Sequence, residues 1–279
     1  MQLPSAPYHP GRRRRPALAG LCVLVVVAAL VQGLAGPAAA ATTPMTASQV
    51  TTMWTAYGDA GGHWTGGDST VSVPLPDGRV AWLFSDTFLG TVNADHSRPH
   101  GVPFIHNCLV VQDGSQLVQT LTGGTSSVPT SLVSDSTGDM YWLGDATVDG
   151  SVLHVLYGKY HATGTGPFDF TLTGTALATF ALPGLTLSSV VTLPVGATIG
   201  WGSAILKDGS YTYIYGTEGV GNLKFAHLAR ATSGNLGGAW QYWTGSTWSA
   251  QESDSARLFS GVGSAYSVNK GPRMNNLPV

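Results

Sequence analysis

Four carboxylates stand where the chain passes from strand pattern to turn. They are Asp68 after Gly66-Gly67, Asp86 just past the apolar run 80–84, Asp145 after Gly144, and Glu218 in Tyr215-Gly216-Thr217-Glu218-Gly219. Two carboxyl groups facing one bond can divide the work of cleaving it. One donates a proton to the departing oxygen and the other acts as base or nucleophile, which is what glycoside hydrolysis requires. Asp68 follows two glycines that let backbone and substrate approach closely, and it reads as base or nucleophile. Asp86, beside Trp82 and Phe84, sits where apolar neighbours raise a carboxyl's pKa and reads as the acid, the two roles being exchangeable. Glu218 is the rival for the acid. The competing reading makes all of them strand-end turn formers whose carboxylates accept from backbone N–H groups.

Around this set, His106-Asn107 and Asp145 are candidates for hydrogen bonds to sugar hydroxyls, and Trp201 is a candidate for stacking on a sugar ring. Each is weighed against a packing role. His96, His100 and His106 lie in or next to a proline-containing loop at spacings that suit solvated histidines better than a metal site. No run of oxygen ligands points to calcium. Ser85 and Ser203 lack a nucleophile-elbow context, and there is no phosphate loop or dinucleotide fingerprint, so neither metal nor cofactor is expected.

The acids need strands to position them. Residues 69–75 alternate apolar with small or polar side chains, Pro76-Asp77-Gly78 turns the chain, and an apolar run follows. That is a β-hairpin, and its antiparallel pairing brings Asp68 and Asp86 to one edge of the sheet. Further turn signals at Asp113-Gly114, Asp149-Gly150 and Asp208-Gly209 divide the apolar runs into units. The first takes in 69–75, 80–86, 104–111 and 117–122; the second 140–146, 151–161 and 168–180; the third 188–194, 201–206, 211–215 and 224–231, followed by 240–248. PDGRVAWLFSDT, VDGSVLHVLYGKY and KDGSYTYIYGTEG echo one another, each setting an Asp-Gly turn before an apolar strand. Units of about four strands at this spacing predict an all-β β-propeller, with a two-sheet sandwich as the alternative. A fourth unit begins at 257–260 and 263–270 and stops in mid-blade. The expectation is therefore a chain truncated or frameshifted after about Lys270, with about three and a half blades present.

Composition agrees with strands: 37 glycines and ten tyrosines among 279 residues, and lysine only at 159, 207, 224 and 270. Residues 1–41 read as a cleaved signal peptide, with Arg12 to Arg15 as the basic region, 17–34 as the apolar core and Pro37 to Ala41 as the cleavage site. The mature chain is then expected to be secreted, with no stable membrane association. Residues 42–63 are a lead-in that is helical or irregular, with Val50, Met53 and Trp54 on one face; 64–270 form the propeller domain and 271–279 an irregular tail. Removing the leader's four arginines leaves nine basic residues against 15 acidic ones, a net charge of −6 that argues against a nucleic-acid partner. Cys108 is then the one cysteine, so no internal disulfide is expected. Its apolar setting points to a buried, inert thiol.

The stretch GGDSTVSVPLPDGRVAWLFSDTFLG, with FIHNCLVV, WGSAILKDGSYTYIYGTEG and RLFSGVGSAYSV, resembles a secreted actinobacterial five-bladed β-propeller family catalogued as a domain of unknown function. Related families include endo-D-arabinanases. The resemblance, over about residues 64–270, implies five blades when complete and a monomer acting on a cell-wall polysaccharide, an arabinan-like furanoside favoured. Asp68, Asp86 and Glu218 would be catalytic, as in the three-carboxylate arrangement of other five-bladed glycosidases. Asp145, His106, Asn107 and Trp201 would bind substrate. A carbohydrate-binding propeller without catalysis and an interaction protein of the envelope are the other readings.

Overall fold

The protein is described by a computed structural model over residues 44–270; the leader and the tail fall outside the described residues. A single α-helix, α1 (Ala47–Asp59), opens them. Thr46 Oγ1 accepts from the Gln49 amide and Gln49 Oε1 from the Thr46 amide, a reciprocal cap that fixes where the helix starts. The helix buries Met53, and Trp54 packs edge-on against Trp64 and Phe84.

The rest is antiparallel β structure. The small sheet β1 (His63–Gly67), β4 (Thr87–Gly90), β5 (Phe104–Ile105) precedes and interrupts a first four-stranded sheet. That sheet runs β2 (Val71–Pro74), β3 (Val80–Phe84), β6 (Cys108–Asp113), β7 (Gln116–Leu121). After the ribbon β8 (Gly123–Gly124) and β9 (Pro129–Thr130), a second sheet follows in plain chain order: β10 (Met140–Asp149), β11 (Val152–Ala162), β12 (Phe170–Ala181), β13 (Thr186–Thr192). The third is β14 (Ile199–Asp208), β15 (Tyr211–Val220), β16 (Leu223–Thr232), β17 (Gln241–Trp243), β18 (Trp248–Ser249).

Three of the hairpins share one turn. Gly114-Ser115, Gly150-Ser151 and Gly209-Ser210 join β6–β7, β10–β11 and β14–β15, and the glycines have φ of 56°, 57° and 60°. Positive φ at the first central residue alone is the geometry of a two-residue type II′ loop, which glycine enters without a Cβ clash.

Two boundaries differ from the sequence reading. The run 188–194 closes the second sheet as β13 instead of opening the third, with Val190 opposite Ala178 and Val191 opposite Leu177. The run 257–260 does not begin a fourth sheet among the described residues. It lies along β16, where Leu258 N donates to Ala226 O, Ala226 N to Phe259 O, and Ser260 bridges Phe225.

Successive sheets pack face to face. Leu83, Leu109 and Val111 of the first meet Tyr141, Val155 and Phe180 of the second in one core. Leu156 and Leu177 of the second meet Trp201, Ile214 and Ala229 of the third in another. The other face of β6 turns Cys108 and Val110 towards α1. With both its faces covered, β6 is apolar from Cys108 to Val111 without alternation. Burial pushes the Cys108 thiol pKa up to about 12, which keeps it protonated and inert.

Candidate functional site

Between β1 and β2 and just beyond β3 the backbone brings two acids side by side. Asp68 N donates to Asp86 O at 3.1 Å and Ser85 N to Asp68 O at 3.0 Å, continuing the pairing of Gly67 with Thr87. Loss of water around the Asp68 carboxyl, followed by the nearby Asp86 charge, raises its pKa above the ordinary 3.8. Asp86 Oδ1 accepts from Trp142 Nε1 at 2.7 Å and lies 2.8 Å from His106 Nδ1, which donates in the Nδ1-protonated tautomer. Neither bond uses Oδ2. Trp82 and Phe84, expected beside this carboxyl, pack into the cluster under α1 instead. The aromatic partner of Asp86 is Trp142, from the second sheet.

Asp68 and Asp86 border a hollow of about 610 Å³, within the ordinary range for small-molecule sites. The second sheet supplies its aromatic wall: Trp142 lies 4.6 Å from both Tyr160 and Phe170, edge-on to the latter. The third supplies a plainer wall with Thr217, Gly219 and Lys224, the last bonded to Ser264 of the segment that follows β18. The second and third sheets meet at paired irregularities, between Leu143 and Ala146 and between Trp201 and Ala204. A Cβ on Gly144 would lie 2.6 Å from Gly202 O, so glycine there lets the two backbones touch.

The other acids singled out from the sequence are turned to other partners. Asp145 is turned into this junction, where it accepts from Ala146 N at 2.8 Å and Ile205 N at 2.6 Å. Burial raises its pKa, and its carboxylate ties one sheet to the next. Glu218 sits between Thr217 and Gly219 in β15, and by strand alternation it points to the opposite face from these two hollow-lining residues. There Arg257 binds it through both oxygens at 2.6 and 2.9 Å, and His227 Nε2 lies 3.1 Å away. Arg257 first, then His227, holds its pKa down to about 2, so it has no proton to give at neutral pH and cannot serve as the rival acid.

Asn107 is fully buried. It donates to Val133 O and Tyr141 O, both at 2.9 Å, and accepts from Val133 N at 2.7 Å, a staple between segments and not a group facing a ligand. Trp201 borders the hollow, but it is 2 % exposed and its indole N–H binds Glu252 at 2.7 Å, so most of its ring is spent on the core of the third sheet. His106, with 35 % of its side chain exposed, stays at the site through Asp86. Trp142, Tyr160 and Phe170 were not singled out from the sequence. The signal was present in β10, where Met140, Trp142 and Gly144 alternate on one face, but nothing local tells a groove-lining tryptophan from a core one.

Over residues 52–273 the sequence matches a family model described as "Domain of unknown function (DUF5005)". Among solved structures, a protein of Bacteroides ovatus ATCC 8483, provisionally named a hydrolase, aligns with a TM-score of 0.59 at 24% sequence identity, a likeness of fold. The alignment takes in 73% of this chain and 58% of the other, so the chain spans less than two thirds of that protein's length. No curated protein matches the sequence.

Proposed function

We propose a function for a chain that belongs to the DUF5005 domain family: it is a secreted glycoside hydrolase whose Asp68 and Asp86 cleave a cell-wall polysaccharide, an arabinan-like furanoside favoured. The observation that carries this reading is the difference between two adjacent carboxyls at one aromatic-walled hollow. One has a raised pKa, while the other accepts hydrogen bonds from an indole and an imidazole. The roles follow in the reverse of the sequence assignment. Asp68 holds the proton and passes it to the glycosidic oxygen as the C–O bond breaks. Asp86, fixed by Trp142 and His106, meets the anomeric carbon directly or takes a proton from the attacking water. Trp142 and Phe170 offer faces for the apolar side of a sugar ring.

In this reading the three meander sheets are successive blades of a five-bladed propeller. Support comes from their spatial order, which follows the chain, and from the cores shared between neighbours. The mature protein acts as a monomer on polysaccharide, with neither nucleic acid nor membrane as partner. The second reading is a propeller that binds carbohydrate without cutting it. The ion-paired Glu218 and the buried Asp145 favour that reading, because they leave two acids at the hollow where four were expected.

The test is release of oligosaccharides from arabinan, galactan and xylan by the parent chain and by Asp68→Asn and Asp86→Asn. Hydrolysis falling by several orders of magnitude in both variants, with sugar binding retained, is the expected result. Cleavage unchanged in either variant refutes the assignment, and binding without cleavage by the parent establishes the second reading.

A further inference from the structure

We propose that the hollow continues outward as a glycan-binding strip over Phe104 and Phe88, so that the polymer is gripped beyond the cleavage point and cut within its chain. This rests on the carbohydrate reading above and adds to it where the chain lies. Phe104 opens β5 and His106 lies at the bend just past its end, where the two rings stand edge to face. Phe88 lies directly across from Phe104 in the β4–β5 pairing. The rings form a continuous path: Phe88 to Phe104 is 5.0 Å between centroids, Phe104 to His106 5.7 Å, and His106 to Trp142 6.4 Å. The path therefore begins at the two side chains that hold Asp86 and ends at the protein's outer surface.

The two phenylalanines are not covered by the fold. Phe88 is 39 % and Phe104 48 % exposed, while their strand neighbours Leu89 and Ile105 are buried. Phe88 is nevertheless held in place. The Arg98 guanidinium lies 4.9 Å from its ring centroid and is itself anchored, Nε donating to Thr65 Oγ1 at 3.0 Å and Nη2 to Thr65 O. Glycine at 66 makes room for this, since a Cβ there would come within 2.2 Å of Nη2. An aromatic face fixed before binding loses little freedom when a ligand covers it.

The shape of the strip favours a sugar chain over a protein. Two half-exposed phenylalanines offer on the order of 200 Å², against about 800 Å² per partner in a protein interface. One ring in width matches the apolar face of a single sugar, and the polar edges of Asp86 and His106 at its inner end match the hydroxyl rim.

The experiment uses Asp68→Asn chain, in which cutting is disabled, titrated calorimetrically with linear arabinose, galactose and xylose oligosaccharides from disaccharide to octasaccharide. Two ring stacks amount to about tenfold in affinity, so one series is expected to tighten by about that factor between disaccharide and hexasaccharide. Adding Phe88→Ala and Phe104→Ala is expected to flatten the gain to less than about twofold. Phe88→Tyr with Phe104→Tyr keeps it, because the flat faces remain. No gain with length in any series, or an equal gain in the alanine variant, overturns the strip. Product release by the parent chain is scored separately. Length dependence without products removes the hydrolytic reading and keeps the strip, whereas products without length dependence do the reverse.

Discussion

Replacing Asn107 by leucine separates a structural asparagine from a ligand-binding one. The side chain is fully buried and makes three hydrogen bonds, to Val133 O, Tyr141 O and from Val133 N. Each contributes about 1 kcal/mol net, and each backbone group left without a partner adds a desolvation penalty of about 1–3 kcal/mol. Allowing for partial relaxation around an isosteric leucine, the loss should be about 3–5 kcal/mol, a large part of the roughly 5–15 kcal/mol that holds a domain together. Urea unfolding followed by tryptophan fluorescence measures it. The midpoint should fall with the slope unchanged, since neither end state changes its exposed surface. Asn107→Asp should be nearly as damaging at neutral pH, because a carboxylate still accepts from Val133 N but turns an oxygen towards two carbonyls that need donors. A loss below about 1 kcal/mol in the leucine variant, at unchanged slope, would refute the staple and return Asn107 to the candidates for ligand contact.

Two further outcomes follow from the ionisable groups. Glu218 has a folded pKa of about 2 against an ordinary 4.5, so its contribution to stability is complete above the ordinary value and is lost as pH falls towards about 2. Arg257→Gln should therefore be less stable than the parent at pH near 6, with the gap narrowing on acidification in pH-dependent melts; a gap independent of pH would count against the ion pair as its source. Asp68 behaves in the opposite sense. Its folded pKa lies above 3.8, so between the two values the folded state keeps a proton that the unfolded state has released, and stability declines as pH rises through that window. Asp68→Asn should melt higher than the parent at neutral pH and lose that advantage below the ordinary carboxyl range. Equal melting temperatures throughout would show that the site imposes no penalty on the charged form.

What sequence reading captured was local. The Asp-Gly turns at 113, 149 and 208 declare themselves because a positive φ at the residue after aspartate needs glycine within two positions of the strand end. Asp68 and Asp86 come together through a hairpin only a few residues long. The boundary between the second and third units is hidden because β12 and β13 are joined at Pro183-Gly184, without the Asp-Gly signature of β6–β7, β10–β11 and β14–β15. The same limit applies to the acids. Glu218, Asp145 and Asp86 are alike as strand-end carboxylates in sequence, and they part company over partners far along the chain: Arg257, Ile205 and Trp142.

By itself the sequence determined an all-β chain, where its hairpins turn, and which two acids share an edge, because backbone conformation and side-chain alternation act over a few residues. Only the tertiary structure decided which carboxyls have their pKa raised and which lowered, which are held by a guanidinium or by backbone N–H groups, and which tryptophan binds Asp86. Those properties depend on water being excluded and on charges or donors being brought close, and both arise when distant sheets pack together.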